Sequence, residues 1–268
     1  MGRRGIAALL LATVALAGCG GGGKNASSSG SHAVSGDPVA LATAKTSHVG
    51  SVEADFAIAG PAVQGHGTGV FNTGQSASGQ VGMTVTVNGR PLKIDMVLTG
   101  KALYMRSPAF SQAGLTGAKE WVKFDLARIA GQARQLGLGG LLGESSTPTG
   151  ALAYLRGSSG HLTKVGTETV RGEAMTHYKV TVDLELAAKR ASGSARQSLR
   201  QAIGTTGARK LQVDVWIDGK GYIRKLTLPG KGQAPSVTIE LHDFGSHVSI
   251  SAPPSYSVVD VTKLRQGG

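Results

Sequence analysis

The chemistry of this chain begins at Cys19, its only cysteine, which ends the segment Leu16-Ala17-Gly18-Cys19. Two arginines at positions 3 and 4 precede an apolar stretch from Ile6 to Ala17, which is too short to span a bilayer. A positive start, a short apolar stretch and small residues before a cleavage point are typical of an export signal. Residues 1–18 are therefore predicted to be a leader that is removed.

The four residues that end at Cys19 resemble the bacterial lipobox. Small residues at the two positions before the cysteine admit lipoprotein signal peptidase, and the thiol carries a diacylglyceryl group through a thioether. The motif predicts that lipidated Cys19 starts the mature chain, and an ordinary signal peptide with a chance cysteine is the alternative. The arginine pair leaves both general secretion and twin-arginine export open. Since there is no second cysteine, no internal disulfide is expected.

Residues 19–36 are rich in glycine and serine and contain nothing that could bury a core. As a flexible tether they would span about 20 Å root-mean-square. Two acyl chains suffice for stable anchoring, so the protein is predicted to be held at the outer face of the cytoplasmic membrane. The membrane, reached through lipidated Cys19, is thus the first predicted partner.

The remaining residues, 37–268, are long enough for one sizeable domain, which we expect to be a monomer. The full chain has a net charge of +12, and the balance stays positive without the two leader arginines. A positive domain suits an anionic lipid surface. Nucleic acid is not expected as a partner, because the basic residues are scattered and no recognition motif accompanies them.

Catalytic motifs have little support in this domain. The seven histidines of the full chain are dispersed, and none stands at a metal-binding spacing from another histidine, a cysteine or a carboxylate. His177 and His242 fall in strand patterns on the expected outward face, where a solvated or hydrogen-bonded role is expected. The glycine cluster at 137–143 lacks the preceding strand and the spacing of a phosphate loop. We therefore expect no enzyme, no cofactor and no metal.

Apolar residues alternate with polar ones over most of the domain, which predicts strands with one buried face. Asn88-Gly89 and Asp218-Gly219 stand between such runs and predict tight hairpin turns. The expected class is α+β, with a large, curved, mainly antiparallel sheet of about ten or eleven strands covered by a few inserted helices. The strands are expected at 52–58, 83–87, 92–98, 102–106, 120–124, 178–184, 211–217, 222–228, 237–241 and 248–251.

Helical spacing of apolar residues interrupts the strand pattern in a few places. Asp37 and Pro38 fit the start of the first helix, as its N-cap and its first position. The helices are expected at 38–46, 125–142, 149–156 and 184–203. They could lie across one face of the sheet.

Four segments resemble the LppX/LprG family of actinobacterial lipoproteins, in the same order over nearly the whole domain. They are Gly100-Lys101-Ala102-Leu103-Tyr104-Met105, Lys119-Glu120-Trp121-Val122-Lys123-Phe124, Val165 to Gly172 with Thr176-His177-Tyr178, and Val213-Asp214-Val215-Trp216-Ile217-Asp218. That family resembles the lipoprotein carrier LolA, in which a curved antiparallel sheet wraps around helices and leaves an apolar cavity. The resemblance implies binding of an acylated lipid or lipoglycan and its movement through the envelope, with a membrane transporter as a further partner.

The inward strand positions are almost all aliphatic, and the chain has only twelve aromatic residues. An aliphatic lining suits acyl chains better than sugars or bases, which usually stack on aromatic rings. The predicted cavity lining is Phe56, Ile58, Val85, Val87, Ile94, Met96, Leu98, Leu103, Met105, Val180, Val182, Val213, Val215, Ile217 and Ile239. The predicted helical cover or hatch is Leu126, Ile129, Leu136, Leu138, Leu141 and Leu142.

Two functions remain open at this stage. In the first, a membrane-anchored envelope lipoprotein holds acylated lipid in the cavity and carries it. In the second, the helices fill the sheet, and the protein is a non-carrier interaction or sensor lipoprotein with a closed core. An interior without space for an acyl chain would favour the second function.

Overall fold

The structure is a computed structural model that describes residues 37–73, 78–100, 102–125, 158–191, 207–230 and 235–261, with 152, 155, 196–197, 199–200 and 203–204. All of them belong to one compact unit, Val34–Gly268. The leader, Cys19 and the tether lie outside the described residues, as do nearly all residues of the helices expected at 125–142 and 149–156. None of the helices that the structure describes is long and apolar enough to cross a membrane.

Twelve strands in this part of the chain form one sheet, so the α+β class with a large, mainly antiparallel sheet is confirmed. Neighbouring strands are antiparallel except β12, which runs parallel to β6. The order across the sheet is β12-β6-β5-β4-β3-β2-β1-β11-β10-β9-β8-β7. The strands are β1 Ser51–Ala59, β2 Val63–Asn72, β3 Ser78–Val87, β4 Arg90–Thr99, β5 Ala102–Arg106, β6 Trp121–Asp125, β7 Ser158–Val170, β8 Glu173–Asp183, β9 Lys210–Asp218, β10 Ile223–Leu228, β11 Ser236–His242 and β12 Val258–Asp260.

Three α-helices have bounds within the described residues: α1 Pro38–Ser47, α2 Pro108–Gln112 and α3 Leu184–Arg190. α1 begins as expected, because the Asp37 carboxylate accepts hydrogen bonds from the backbone N–H groups of Val39 and Ala40 at 2.9 and 3.2 Å. The helix expected at 184–203 is interrupted: α3 ends where Ala191 adopts extended backbone angles, and the described residues 196–197, 199–200 and 203–204 are helical again. α2 was not expected, although Ser107 and Pro108 are a suitable N-cap and first residue.

The strand predictions differ from the structure in three places. β2 and β7 were not expected, because both contain glycines, which are unfavourable in strands when only local propensity is considered. Residues 248–251 form no strand, and the last strand instead lies at Val258–Asp260 after the 3₁₀ turn Ser255–Ser257. The predicted hairpin turn at Asn88-Gly89 is confirmed, with left-handed φ angles of 49° and 77°.

The core lies on one face of the sheet, under α1 and α3. α1 packs against β9 and β10, and its Thr46 hydroxyl accepts a hydrogen bond of 2.9 Å from the backbone N–H of Ile223. α3 packs against β7 and β8. The fully buried members include Val39, Val52, Phe71, Leu152, Leu155, Leu199, Ile223, Leu226 and Leu241. All of them come from the unit Val34–Gly268, so this unit has a core of its own.

Three glycines on alternate positions of β2 face the neighbouring strand β3 at close range. Gly65, Gly67 and Gly69 all face the core side, and a Cβ atom on Gly67 would stand 2.5 Å from the Cβ atom of Met83 on β3. Opposite Cβ atoms in an ordinary antiparallel pair are about 4.5–5.5 Å apart. The two strands therefore approach on this face more closely than any side chain allows, which is the reason for glycine at these positions.

The substitution Gly67→Ala is expected to lower the free energy of unfolding by roughly 1–3 kcal/mol, because the added methyl group overlaps the backbone of β3. Chemical denaturation followed by circular dichroism measures the change. Gly50→Ala is the matched control, since a Cβ atom there meets no atom within 4 Å. Equal stability of the two variants would contradict the close approach of β2 and β3.

Candidate functional site

The register of the sheet places all fifteen predicted lining residues on one face, which we call the apolar face. One row of side-chain positions crosses seven strands through Ile94, Met83, Gly67, Phe56, Ile239, Leu226 and Val215. Since side chains alternate between faces, residues two positions away in each strand share this face. The sequence pattern thus identified a common surface, although the sequence separations of its members are large.

One half of the apolar face, on β8 to β11, is closed. Six of the predicted lining residues are buried there, with exposed fractions of 0–7%. They belong to one packed cluster with residues of α1 and α3 and with Leu152, Leu155 and Leu199. The six are Val180, Val182, Val213, Val215, Ile217 and Ile239. In this half the side chains pack as an ordinary protein core.

The other half of the apolar face, on β3 to β6, is covered less completely. Six predicted lining residues here are only half-buried, and Met83 and Leu92 beside them are half-buried as well. The six are Val85, Ile94, Met96, Leu98, Met105 and, on neighbouring β1, Ile58. Leu103 is buried, with 7% of its surface exposed, and Val87 at the end of β3 is 45% exposed. We call this half the open half.

Phe56 stands at the border between the two halves. Its ring meets the buried ring of Phe71 edge-on, with a distance of 6.1 Å between the centroids. It also packs against the closed cluster while staying half-buried itself. The residues expected to form the hatch lie outside the described residues: Leu126, Ile129, Leu136, Leu138, Leu141 and Leu142.

The opposite, outer face carries a polar network around His177. Its Nδ1 atom lies 2.8 Å from a Glu168 carboxylate oxygen, and its Nε2 atom lies 2.8 Å from an Asp214 oxygen. The ring also stacks on Trp216, with 4.2 Å between the centroids. Both ring nitrogens therefore have hydrogen-bond partners within the protein. This agrees with the hydrogen-bonded role expected for His177 from the sequence.

Glu168 links this network to the indole of Trp216. The Trp216 Nε1–H group donates a hydrogen bond of 2.8 Å to one carboxylate oxygen, and His177 is bound to the other. The hydrogen bond from Trp216, followed by that from His177, lowers the pKa of Glu168 below its ordinary value of 4.5. The charged form of this carboxylate is thus favoured in the folded state.

A second polar group lies at the outer face, and two of its members, Glu53 and His242, line a groove of about 610 Å³ between β1, β2, β3 and β11. Glu53, His242 and Asp243 offer ligand atoms within 4.8 Å of one another, which is a spacing that could hold a metal ion. The sequence did not reveal this group, because Glu53 meets His242 only through the β1–β11 register. The only sequence features that pointed towards this group were the strand patterns of β1 and β11.

Among the described residues, the group is engaged only in part: His242 Nδ1 has a partner, whereas His242 Nε2 is buried without a hydrogen bond. His242 Nδ1 lies 2.6 Å from an Asp243 oxygen, and this hydrogen bond is the main reason that the pKa of Asp243 is lowered. The other ring nitrogen lies 3.5 Å from Asp55, which Arg171 also contacts at 2.5 Å. The arrangement is explained as a cross-strand charge network that joins β1, β11 and the β7–β8 turn.

Comparisons with known proteins agree with this architecture. LprF from Mycobacterium bovis has a solved structure that superposes with a TM-score of 0.50 at 15% identity, over 81% of this chain and 95% of LprF. The lipoprotein LppX from Mycobacterium tuberculosis gives a TM-score of 0.49 at 14% identity, over 81% of this chain and all of LppX. The likeness to LprF confirms, at the level of fold, the resemblance found in the sequence.

One sequence relative aligns with part of this chain. An uncharacterized 31.2 kDa protein of Streptomyces griseus is 32% identical over 174 residues, which are 62% of this chain. The match spans 56% of that relative's length. No protein-family model matches the chain.

The network around Glu168 predicts an acid-sensitive contribution to stability. Since its folded pKa is lowered, the contribution is present above the ordinary pKa and is lost as the pH falls through the folded pKa. Glu168→Gln is expected to reduce the free energy of unfolding at neutral pH, and the difference from wild type should shrink below about pH 4.5. Denaturant titrations at several pH values measure it.

Glu173→Gln is the control for this titration, because Glu173 is an exposed glutamate of the same hairpin. It should change stability little at any pH. A Glu168→Gln effect that stays constant from neutral to acid pH would contradict the assignment.

Proposed function

We propose that the chain is a lipid-anchored envelope protein that holds acyl chains of a lipid or lipoglycan against the open half of the apolar face. The observation that carries the proposal is the difference in side-chain burial between the two halves of the apolar face. Its β8 to β11 half is closed, whereas aliphatic side chains on β3 to β6 stay half-buried. Full burial of such a side chain is worth roughly 1.5–3 kcal/mol, so an apolar ligand would gain contact area there.

The chemistry of this surface supports an acyl chain over other ligands. The open half presents valine, leucine, isoleucine and methionine, and unbranched methionine adapts to ligands of irregular shape. Burial of acyl chains contributes about 0.8 kcal/mol for each CH₂ group, so a long chain accumulates affinity without any polar contact. The fold shared with LprF and the lipobox at Cys19 agree with this proposal.

The network around His177 on the outer face is not arranged for proton transfer. Both nitrogens of His177 are engaged by carboxylates, which leaves neither of them for a substrate proton. We propose that the protein acts as a carrier between membrane and envelope, with the tether setting its distance from the bilayer. Exchange of cargo with a membrane transporter stays a prediction.

The alternative function, a non-carrier protein with a closed core, is favoured by the packing of the β8 to β11 half. It requires that the side chains of the open half also be fully buried by the protein itself.

Bound lipid is the direct test of the carrier proposal. The fragment 34–268 has its own core, so it can be purified from an actinobacterial host without its anchor. Native mass spectrometry should show adducts heavier than the protein, and organic extraction should release acylated molecules from them. A single species of protein mass with no extractable lipid would support the closed-core alternative instead.

A pair of neighbouring substitutions on β3 locates the lipid. Val85→Asp places a charge on the open half and is expected to reduce the bound lipid severalfold, because burying an unpaired carboxylate beside an acyl chain is costly. Thr86→Asp places the same group one residue farther along, on the outer face, and should leave the lipid content unchanged. Thermal melts of both variants separate loss of lipid from loss of folding.

Anchoring is tested on the full chain. Cys19→Ser removes the thiol that would carry the diacylglyceryl group, so the protein is expected to leave the detergent phase in a Triton X-114 partition. Labelling with an alkyne fatty acid should mark wild type and not the variant. A wild-type protein that takes up no label would show that Cys19 is not lipidated.

A further inference from the structure

We propose that the end of the sheet formed by the β1–β2 and β3–β4 turns docks on the surface of an anionic lipid bilayer. This docking tip comprises residues 59–63 and 86–93. The inference rests on the proposed function, because it names the surface through which an acyl chain would pass between a bilayer and the open half. It also identifies a membrane contact separate from the anchor at Cys19.

The two turns form one unit. The backbone N–H of Asn88 donates a hydrogen bond of 3.0 Å to the carbonyl oxygen of Ala62, which joins the β3–β4 turn to the β1–β2 turn. Within the β1–β2 turn, the N–H of Gly60 donates to the carbonyl oxygen of Val63 at 2.8 Å. Hydrogen bonds of this kind hold the tip in a defined shape, so it presents a preformed surface.

The docking tip exposes apolar surface where hairpin turns usually carry polar residues. Val87 is 45% exposed, and Pro61, Ala62 and Pro91 are exposed around it. Val87 is also the last apolar-face position of β3. The half-buried residues Val81, Met83 and Val85 precede it on that face, so an uninterrupted aliphatic track leads from the open half to the tip.

The charge of the docking tip selects an anionic partner. Arg90 and Lys93 are exposed, and the two segments of the tip contain no aspartate or glutamate. By contrast, the β9–β10 turn at the other end of the sheet contains Asp218 beside Lys220. Exposed apolar residues flanked by basic ones are typical of surfaces that lie in the interface of anionic membranes. A lipid bilayer therefore fits both properties of the tip.

Vesicle flotation of the fragment 34–268 tests this surface. Wild type should bind vesicles of phosphatidylcholine and phosphatidylglycerol in equal parts, and bind pure phosphatidylcholine vesicles much less. The double variant Arg90→Glu/Lys93→Glu is expected to bind the anionic vesicles roughly tenfold or more weakly, since each basic residue near such a surface contributes about fivefold. High salt should reduce wild-type binding in the same direction.

Matched variants elsewhere on the sheet are the controls. Lys164→Glu/Lys179→Glu changes the net charge equally at exposed lysines of β7 and β8 and should retain vesicle binding. For the apolar part, Val87→Asp should weaken binding, whereas Val165→Asp, at a valine that is 48% exposed, should not. Equal losses for the tip variants and their controls would overturn the proposal, as would the absence of wild-type binding to anionic vesicles.

Lipid content separates this proposal from the proposed function. Arg90 and Lys93 lie outside the predicted lining, so native mass spectrometry should find as much bound lipid in their double variant as in wild type. Wild-type protein that carries lipid without binding vesicles would overturn the docking tip alone. Wild-type protein that binds vesicles through the tip and carries no lipid would overturn the carrier function alone.

Discussion

The close approach of β2 to β3 is the constraint on which the arrangement of the sheet depends. With a 2.5 Å separation between the position of a Cβ atom on Gly67 and the Cβ atom of Met83, only glycine fits at position 67 on the inner side of β2. This close approach lies between Phe56, which borders the closed core, and the half-buried residues of β3. One continuous hydrogen-bonded sheet thereby carries two different environments on the same face.

These two environments follow from what packs on each part of the sheet. α1 and α3 lie over β7 to β10, where the aliphatic side chains reach the burial of a normal core. That half supplies stability without any disulfide. The open half has the same residue types with less burial, which leaves hydrophobic free energy to be gained by another apolar group. A protein that stores a ligand benefits from this division, because the part that must stay folded differs from the part that must exchange.

Alternation of residue types predicted the face of every candidate lining residue, because strand periodicity depends only on neighbours in the sequence. It did not predict β2, because the alternate glycines of this strand are explained only by the close approach of β3 in the folded sheet. Nor could it divide the lining into closed and open halves, since residues such as Val215 and Val85 have the same local pattern. Their burial depends on helices distant in sequence. The network of His177 with Glu168 and Asp214 was hidden for the same reason, because three strands must be in register to form it.

The two edges of the sheet bear on how such a protein avoids aggregation. A sheet that ends in free strands offers unpaired backbone groups to neighbouring molecules. At one edge, β12 is only three residues long. At the other, β7 is thirteen residues long, but its pairing with β8 shifts register twice, between Ser158 and Leu162 and between Lys164 and Gly166. Bulges of this kind twist an edge away from a flat template, so many copies could stand side by side without joining their sheets.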